Sequence, residues 1–125
     1  MKAYLAIKFK TDFSNKEEVE DITSALDKDG IKTVNMVQYG NDAFTPQELM
    51  QKTFEEIDAS DILVIEFSEK GVGLGIEAGY ACAKQKPIFV IAKKSSDISS
   101  TLEGIAKEVI FYDKPEDLVG KIKEL

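Results

Sequence analysis

The sequence has no histidine and no tryptophan, and only one cysteine, Cys82, among its 125 residues. Without histidine, the chain cannot form a Ser-His or Cys-His catalytic pair, a histidine-ligated zinc site or an imidazole proton shuttle. A single cysteine excludes a disulfide within the chain. The alanines on both sides of Cys82 predict a buried, unreactive thiol on a packed helix face. Acid–base chemistry must therefore come from carboxylates, lysines, tyrosines or water.

The sequence also lacks an excess of positive charge and any long apolar segment. Its 16 Lys and Arg residues are outnumbered by 23 Asp and Glu residues, which gives a net charge of −7. A surface of this sign repels nucleic acid and anionic membranes, so we expect neither as a partner. No apolar run approaches the ~20 residues that cross a bilayer. Residues 1–5 lack the apolar core of a signal peptide, so the expected location is the cytoplasm.

Short apolar segments alternate with amphipathic ones along the chain. The order βαβαβαβαβα predicts a parallel sheet with helices on both faces, and strands that are apolar on both sides fit its centre. We therefore predict an α/β fold in a single domain over residues 1–125. Five strands suggest a flavodoxin-like (Rossmann-like) three-layer sandwich with strand order 2-1-3-4-5. The predicted strands are residues 3–9, 31–36, 62–65, 87–92 and 109–112.

Helix ends are predicted from capping and turn residues. Ser14 with Glu17, and Thr45 with Glu48, have the spacing of a capping box, and residues 41–44 are predicted to form a loop before Thr45. Further helices are expected at about residues 76–85 and 102–107. A terminal helix is expected from Pro115, with a buried face formed by Leu118, Val119, Ile122 and Leu125.

The segment after the third predicted strand is rich in glycine. Gly71, Gly73 and Gly75 fall within five residues and are predicted to form a turn between the strand and the next helix. Ligands of open α/β sheets bind beyond the carboxyl ends of the strands, where glycine allows close approach and a helix N-terminus attracts anions. This glycine-rich segment follows the third strand, whereas a dinucleotide-binding loop follows the first strand and precedes an acidic residue on the second.

Glu77 follows the glycines and is predicted to lie in the first turn of the helix. One interpretation is that it stabilises the positive end of the helix dipole. The other is that it acts as a nucleophile on a sugar carbon beside a glycine-lined cavity, as in retaining glycosidases. The small and apolar residues at positions 76–81 favour the second interpretation, because they would partly desolvate the carboxylate.

The residues around Glu77 form the segment Gly73-Leu74-Gly75-Ile76-Glu77-Ala78-Gly79-Tyr80-Ala81. This segment carries most of a resemblance to the nucleoside 2-deoxyribosyltransferase family, which includes the deoxynucleoside 5'-monophosphate N-glycosidases. The likeness covers about residues 61–91. The resemblance implies cleavage or transfer at the N-glycosidic bond of a (deoxy)nucleoside or its 5'-monophosphate, through a covalent glycosyl intermediate on Glu77. It implies no cofactor or metal, and a homodimer or higher homo-oligomer.

The resemblance also implies roles for residues elsewhere in the chain. Tyr4, on the first strand, would orient the Glu77 carboxylate, although a core aromatic has the same pattern. Ser99 or Ser100 would reach the site of a neighbouring subunit, or would simply cap the following helix. Lys8 and Lys10 would meet a 5'-phosphate, or would be exposed lysines at the end of a strand.

Two further polar residues follow the third strand. Glu66 would hydrogen-bond a sugar hydroxyl or assist a proton transfer, or it would be a solvated loop carboxylate. The family often has Ser or Asp six residues before the nucleophile, where this chain has Gly71, and Ser68 is the nearby hydroxyl. The family's Asp on the preceding helix is missing from residues 51–55, which favours hydrolysis over transfer.

Two other functions fit the same fold. A catalytically inactive nucleotide-binding or sensor module is compatible with the missing polar residues. A phosphoacceptor receiver domain needs an Asp after the third strand, where this chain has Glu66, and it is therefore disfavoured.

Overall fold

The computed structural model describes residues 1–8, 10, 12, 14–40 and 42–123. Phe9 and Asn41, which begin or end predicted elements, lie outside the described residues, as does Leu125. The strands are β1 (Lys2–Ile7), β2 (Lys32–Val34), β3 (Ile62–Glu66), β4 (Ile88–Lys93) and β5 (Glu108–Tyr112). The α-helices are α1 (Lys16–Asp27), α2 (Pro46–Asp58), α3 (Val72–Ala83) and α4 (Ser100–Ile105), and Val37–Tyr39 and Pro115–Leu118 form short 3-10 helices.

The five strands form one parallel sheet in the order β2-β1-β3-β4-β5. The predicted α/β fold and strand order are therefore confirmed. Each central strand is covered on both faces, as its continuous apolar sequence requires. None of the helices in the described ranges is long and apolar enough to cross a membrane.

Alternate residues of each strand point to opposite faces of the sheet, and each face has its own core. On one face, Leu5 and Val64 pack with α1 and with Leu118 from the C-terminal segment. On the other face, Tyr4 and Ile65 pack with α2, α3 and α4. Burying one such side chain contributes about 1.5–3 kcal/mol. The two cores fix α1 on one side of the sheet and α3 on the other.

The N-terminus of α2 has the predicted capping box. The Thr45 side chain accepts a hydrogen bond from the Glu48 N–H, and the Glu48 carboxylate accepts one from the Thr45 N–H. The corresponding prediction for α1 is wrong. Its N-cap is Asn15, which makes no side-chain capping bond. The Ser14 N–H instead donates to Asp12 Oδ1 at 3.0 Å, so a local turn replaces the expected cap.

The C-terminal segment differs from the predicted helix. Among the described residues after β5, only Pro115–Leu118 is helical, and it forms a single 3-10 turn. Gly120 has φ +77°, a left-handed conformation that ends a helix. Leu118 and Ile122 are buried as predicted, but Val119 is 39% exposed, because its side chain does not continue a helical face.

Helix α3 starts one turn earlier than predicted. Gly71 is its N-cap, and the Gly75 N–H donates to the Gly71 carbonyl at 3.4 Å. Gly73 and Gly75 therefore belong to the helix rather than to a turn before it. Glu77 lies in the second turn, where stabilisation by the helix dipole, which is confined to the first turn, no longer explains it.

Cys82 is exposed, so the prediction of a buried thiol is wrong. The buried face of α3 is formed by Leu74, Ala78 and Ala81, which have the three- and four-residue spacing of one helix face. Cys82 is rotated away from that face by about 100° relative to Ala81. Of the two alanines beside the cysteine, Ala81 is buried in the core on this face of the sheet, whereas Ala83 is exposed.

Candidate active site

The hydroxyl of Tyr4 donates a hydrogen bond to Glu77 Oε1 at 3.1 Å. Tyr4 is 1% exposed on β1, on the sheet face that α3 covers. Glu77 is partly buried in the second turn of α3. The structure therefore brings together the two residues predicted from the sequence as nucleophile and orienting tyrosine.

Burial changes the protonation of both groups. Desolvation raises the pKa of Glu77 from 4.5 to about 7, and the hydrogen bond from Tyr4 opposes part of this rise. Burial, together with the nearby Glu77 charge, raises the pKa of Tyr4 above its ordinary value. Tyr4 is thus a neutral donor at physiological pH. Glu77 titrates near neutrality, and its ionised form is a poorly solvated carboxylate of the kind found in catalytic sites.

A cavity of about 290 Å³ opens beside Glu77. This volume is near the lower limit of roughly 300 Å³ for small-molecule pockets.

In the described part of the chain, no three His, Cys, Asp or Glu side chains are grouped so that they could hold a metal ion. The polar side chains of the lining are Tyr4, Thr53, Lys8 and Glu77, and the apolar ones include Met36, Val37, Leu49 and Met50.

The predicted glycines divide between two sides of α3. Gly71 and Gly73 line the cavity beside Glu77. Gly75 instead lines a second, more apolar groove of about 740 Å³ between α3 and α4, and Gly71 borders this groove as well. The first turn of α3 is therefore a wall shared by the cavity and the groove.

Ser99 and Ser100 lie away from Glu77. Ser99 lines the groove, and its hydroxyl shares a hydrogen bond with the Thr101 hydroxyl at 2.7 Å. It occupies the N-cap position of α4 without a side-chain capping bond, so the simple capping interpretation does not hold for it. Ser100 is the first residue of α4 and is exposed.

Lys8 lines the same cavity as Glu77. Its amine lies 3.8 Å from a carboxylate oxygen of Glu69, which also pairs with Lys10. The Lys8 side chain is 45% exposed, and it passes close to Gly71 at the start of α3. Lys8 and the N-terminus of α3 thus border the same cavity, an arrangement suited to an anion.

Glu66 and Ser68 are not brought into the cavity beside Glu77. Glu66 is 3% exposed, so it is not a solvated loop carboxylate. Its side chain binds Tyr112 and Ser68. Ile65 shares the sheet face of Tyr4, and Glu66 points to the opposite face because consecutive residues of a strand alternate. This placement does not support their predicted contact with substrate.

Thr53 is a cavity residue that the sequence analysis did not single out. It is 1% exposed, and its hydroxyl donates to the Leu49 carbonyl at 2.8 Å. The two buried positions of α2, Thr53 and Ile57, are four residues apart and so share one helix face. This four-residue spacing is the sequence signal that could have placed Thr53 on the inward face of α2. The apolar wall gave none, because its residues have the same pattern as ordinary core residues.

No protein-family model matches the chain. A protein of Thermofilum pendens, to which 2'-deoxynucleoside 5'-phosphate N-hydrolase activity has been ascribed by inference, is 25% identical over an alignment of 135 positions. The alignment covers 100% of this chain and 94% of that protein.

Solved structures share the fold at lower identity. A CMP N-glycosidase from Clostridium botulinum superposes with a TM-score of 0.72 at 19% identity, covering 97% of this chain and 96% of that one. A 2-deoxyribosyltransferase from Bacillus psychrosaccharolyticus superposes with a TM-score of 0.71 at 15% identity, covering 96% and 91%. These similarities extend over nearly the whole of each chain.

Proposed function

We propose that this chain, which is related to the nucleotide N-glycosidases and nucleoside 2-deoxyribosyltransferases, cleaves the N-glycosidic bond of a 2'-deoxynucleoside 5'-monophosphate with Glu77 as nucleophile. One observation carries the proposal: Glu77, with a pKa of about 7, borders a cavity and is held by Tyr4 at 3.1 Å. The activity named for the Thermofilum pendens relative supports the choice of substrate.

The proposed reaction uses the Glu77 carboxylate first as the nucleophile and then as the leaving group. Tyr4 holds Oε1 of Glu77, which leaves Oε2 to attack the anomeric carbon. The bond from that carbon to the base nitrogen breaks, its electron pair leaves with the base, and a glycosyl ester forms. Water then attacks the same carbon and releases the Glu77 carboxylate. The proton lost by the water balances the proton gained by the departed base, and the products are free base and 2-deoxyribose 5-phosphate.

The phosphate end of the substrate is assigned to Lys8 and the first turn of α3. We expect Lys8→Gln to raise KM for a deoxynucleoside monophosphate about tenfold, because one charge-assisted contact to phosphate is lost. The KM for the matching nucleoside should change less than about twofold. Steady-state base release from both substrates measures this difference. The control is Lys94→Gln, which removes a lysine paired with Asp113 outside the cavity. Equal changes for both substrates would remove Lys8 from the phosphate site.

We also propose a homodimer or higher homo-oligomer formed through the groove between α3 and α4. Val72 is 82% exposed, Ile76 47% and Ile105 38%, and Val72 and Ile105 line the groove. Exposed apolar side chains at a groove are typical of association surfaces. We expect Val72→Asp to shift the protein toward monomer in sedimentation velocity, and an unchanged sedimentation coefficient would contradict this proposal.

The function is tested by incubating the wild-type protein with deoxynucleosides, ribonucleosides and their 5'-monophosphates, and by separating free base chromatographically. We expect release from at least one deoxynucleoside monophosphate, and added free base distinguishes transfer from hydrolysis. The second candidate, an inactive nucleotide-binding module, is favoured by Gly71, which offers no side-chain hydroxyl at the cavity. It predicts a thermal shift with nucleotides and no release of base from any of them.

A further inference from the structure

Glu66 is a buried carboxylate that the proposed chemistry does not use. It is the last residue of β3, in register with Ile7 of β1 and Ile91 of β4, and it is 3% exposed. Leaving a carboxylate at such a position without partners is costly. The position therefore persists only if the surrounding groups satisfy the side chain.

Three donors satisfy the Glu66 carboxylate. The Ser68 N–H donates to Oε1 at 2.6 Å, the Ser68 hydroxyl donates to Oε2 at 2.8 Å, and the Tyr112 hydroxyl also donates to Oε2. Burial raises the pKa of Glu66, while these hydrogen bonds oppose the rise. Two of the three donors belong to the loop that follows β3, so the side chain folds the start of this loop back onto its own strand.

The same loop is also attached to its neighbours. The Lys93 N–H donates to the Ser68 hydroxyl oxygen at 2.9 Å, which fixes the turn to the end of β4. On the other side, Glu69 pairs with Lys8 and Lys10 at the end of β1. From Ser68, only Glu69 and Lys70 remain before Gly71, the N-cap of α3.

We infer that Glu66 is a positioning residue, which fixes the loop of residues 67–70 from the sheet face opposite to Tyr4 and thereby fixes the first turns of α3. Gly71 and Val72, just beyond this loop, line the cavity, and Glu77 follows on the same helix. The consequence for the reaction rests on the proposed function. The fixing of the loop does not, because it concerns only the backbone.

The test compares three variants with the wild-type protein. Glu66→Ala removes the acceptor, and Ser68→Ala removes the hydroxyl that joins Glu66 to Lys93 while leaving the buried carboxylate in place. Tyr112→Phe is the matched control, since it removes one hydrogen bond to Glu66 and a longer one to Glu18 while leaving both Ser68 donors in place. If Glu66→Ala does not fold, Ser68→Ala decides the question.

Hydrogen exchange followed by mass spectrometry gives a readout that needs no activity. We expect peptides covering residues 67–75 to exchange about tenfold faster in Glu66→Ala and Ser68→Ala, because losing one such hydrogen bond weakens local structure by this order. Peptides of α2 should be unchanged, and Tyr112→Phe should behave as wild type in residues 67–75. Unchanged exchange in both test variants, or equal acceleration throughout the sheet, would overturn the inference.

The pH dependence of kcat/KM is a second readout, which would not change if Glu66 contributed only to the overall stability of the fold. A loosened start of α3 admits water around Glu77, so the midpoint of the pH profile of kcat/KM should fall by about half a unit toward the ordinary carboxyl range. General destabilisation would lower the amount of active enzyme without moving this midpoint. An unmoved midpoint in both test variants would contradict the inferred effect on Glu77. If wild-type protein releases no base, the proposed function fails while the exchange data still decide the role of Glu66.

Discussion

We expect the replacement of Glu77 with glutamine to lower kcat for base release by about 10³-fold or more, because a neutral amide is a poor nucleophile and cannot form the proposed glycosyl ester. Glutamine keeps the size of the side chain and can still accept the hydrogen bond from Tyr4 through its amide oxygen. The variant should therefore retain substrate binding, which a thermal shift with the nucleotide checks. Chromatographic release of base at saturating substrate measures kcat.

Two matched variants show whether this loss is specific. Tyr4→Phe keeps the nucleophile and removes only the orienting hydrogen bond, so we expect an intermediate loss of about 10- to 100-fold in kcat. Glu17→Gln makes the same chemical change at an exposed position of α1 and should leave kcat unchanged. Release of base by Glu77→Gln at the wild-type rate would end the proposal that Glu77 is the nucleophile.

Glu77→Gln should also stabilise the folded protein above neutral pH. In the folded protein the pKa of Glu77 is about 7, against an ordinary value of 4.5. The fold therefore favours the protonated carboxyl, and this contribution is fully present below pH 4.5 and is lost as the pH rises through 7. Above that pH the wild-type protein carries a partly buried charge, whereas glutamine is neutral at every pH.

The expected size of this effect follows from the two pKa values. Their difference corresponds to about 3 kcal/mol, and the partial exposure of the carboxyl reduces the expected gain to about 2 kcal/mol. We expect Glu77→Gln and wild type to have similar free energies of unfolding at pH 4.5, with the variant more stable at pH 8. Urea denaturation at both pH values measures this, with Glu17→Gln as the control. A stability difference independent of pH would mean that Glu77 is not desolvated.

The same ionisation sets the pH dependence of the proposed activity. Because kcat/KM reports the ionisation of the free enzyme, its value should rise through a midpoint near pH 7 and level off above about pH 8. At pH 5 only about 1% of Glu77 would be ionised. A profile that is flat between pH 5 and pH 8 would argue against a nucleophile in this environment.

The architecture could be predicted because short apolar segments alternate with helical segments along most of the chain, and few topologies accommodate that order. Element boundaries were harder. The glycines at positions 71–75 have low helix propensity, which indicated a turn, yet the first N–H groups of a helix have no intrahelical partner anyway. The sequence at Ser14 has the capping-box spacing, but the competing turn at Asp12 is a matter of local backbone geometry that spacing does not encode.

The site could be predicted only where residues follow a recognisable motif. Glu77 lies within such a motif, and Tyr4 followed from the resemblance. Glu66 lies at the expected end of β3, but a sequence position at a strand end does not specify the face, and one residue of register reverses it. The apolar cavity wall, with Met36 and Met50 among its residues, cannot be told from core by composition, since it is defined by the space left between elements.

The bare first turn of α3 has a consequence for how this protein can change. Apart from the adjacent residues and the backbone of α3 itself, no atom of the described residues lies within 4 Å of where a Cβ would stand on Gly73 or Gly75. Gly73 borders the cavity, and Gly75 borders the groove. A single helix, about 10 Å across, thus separates any bound ligand from any molecule seated in the groove. Substitutions that reshape this turn would alter the cavity and the proposed association surface together, so the shapes of the two are constrained to evolve as one.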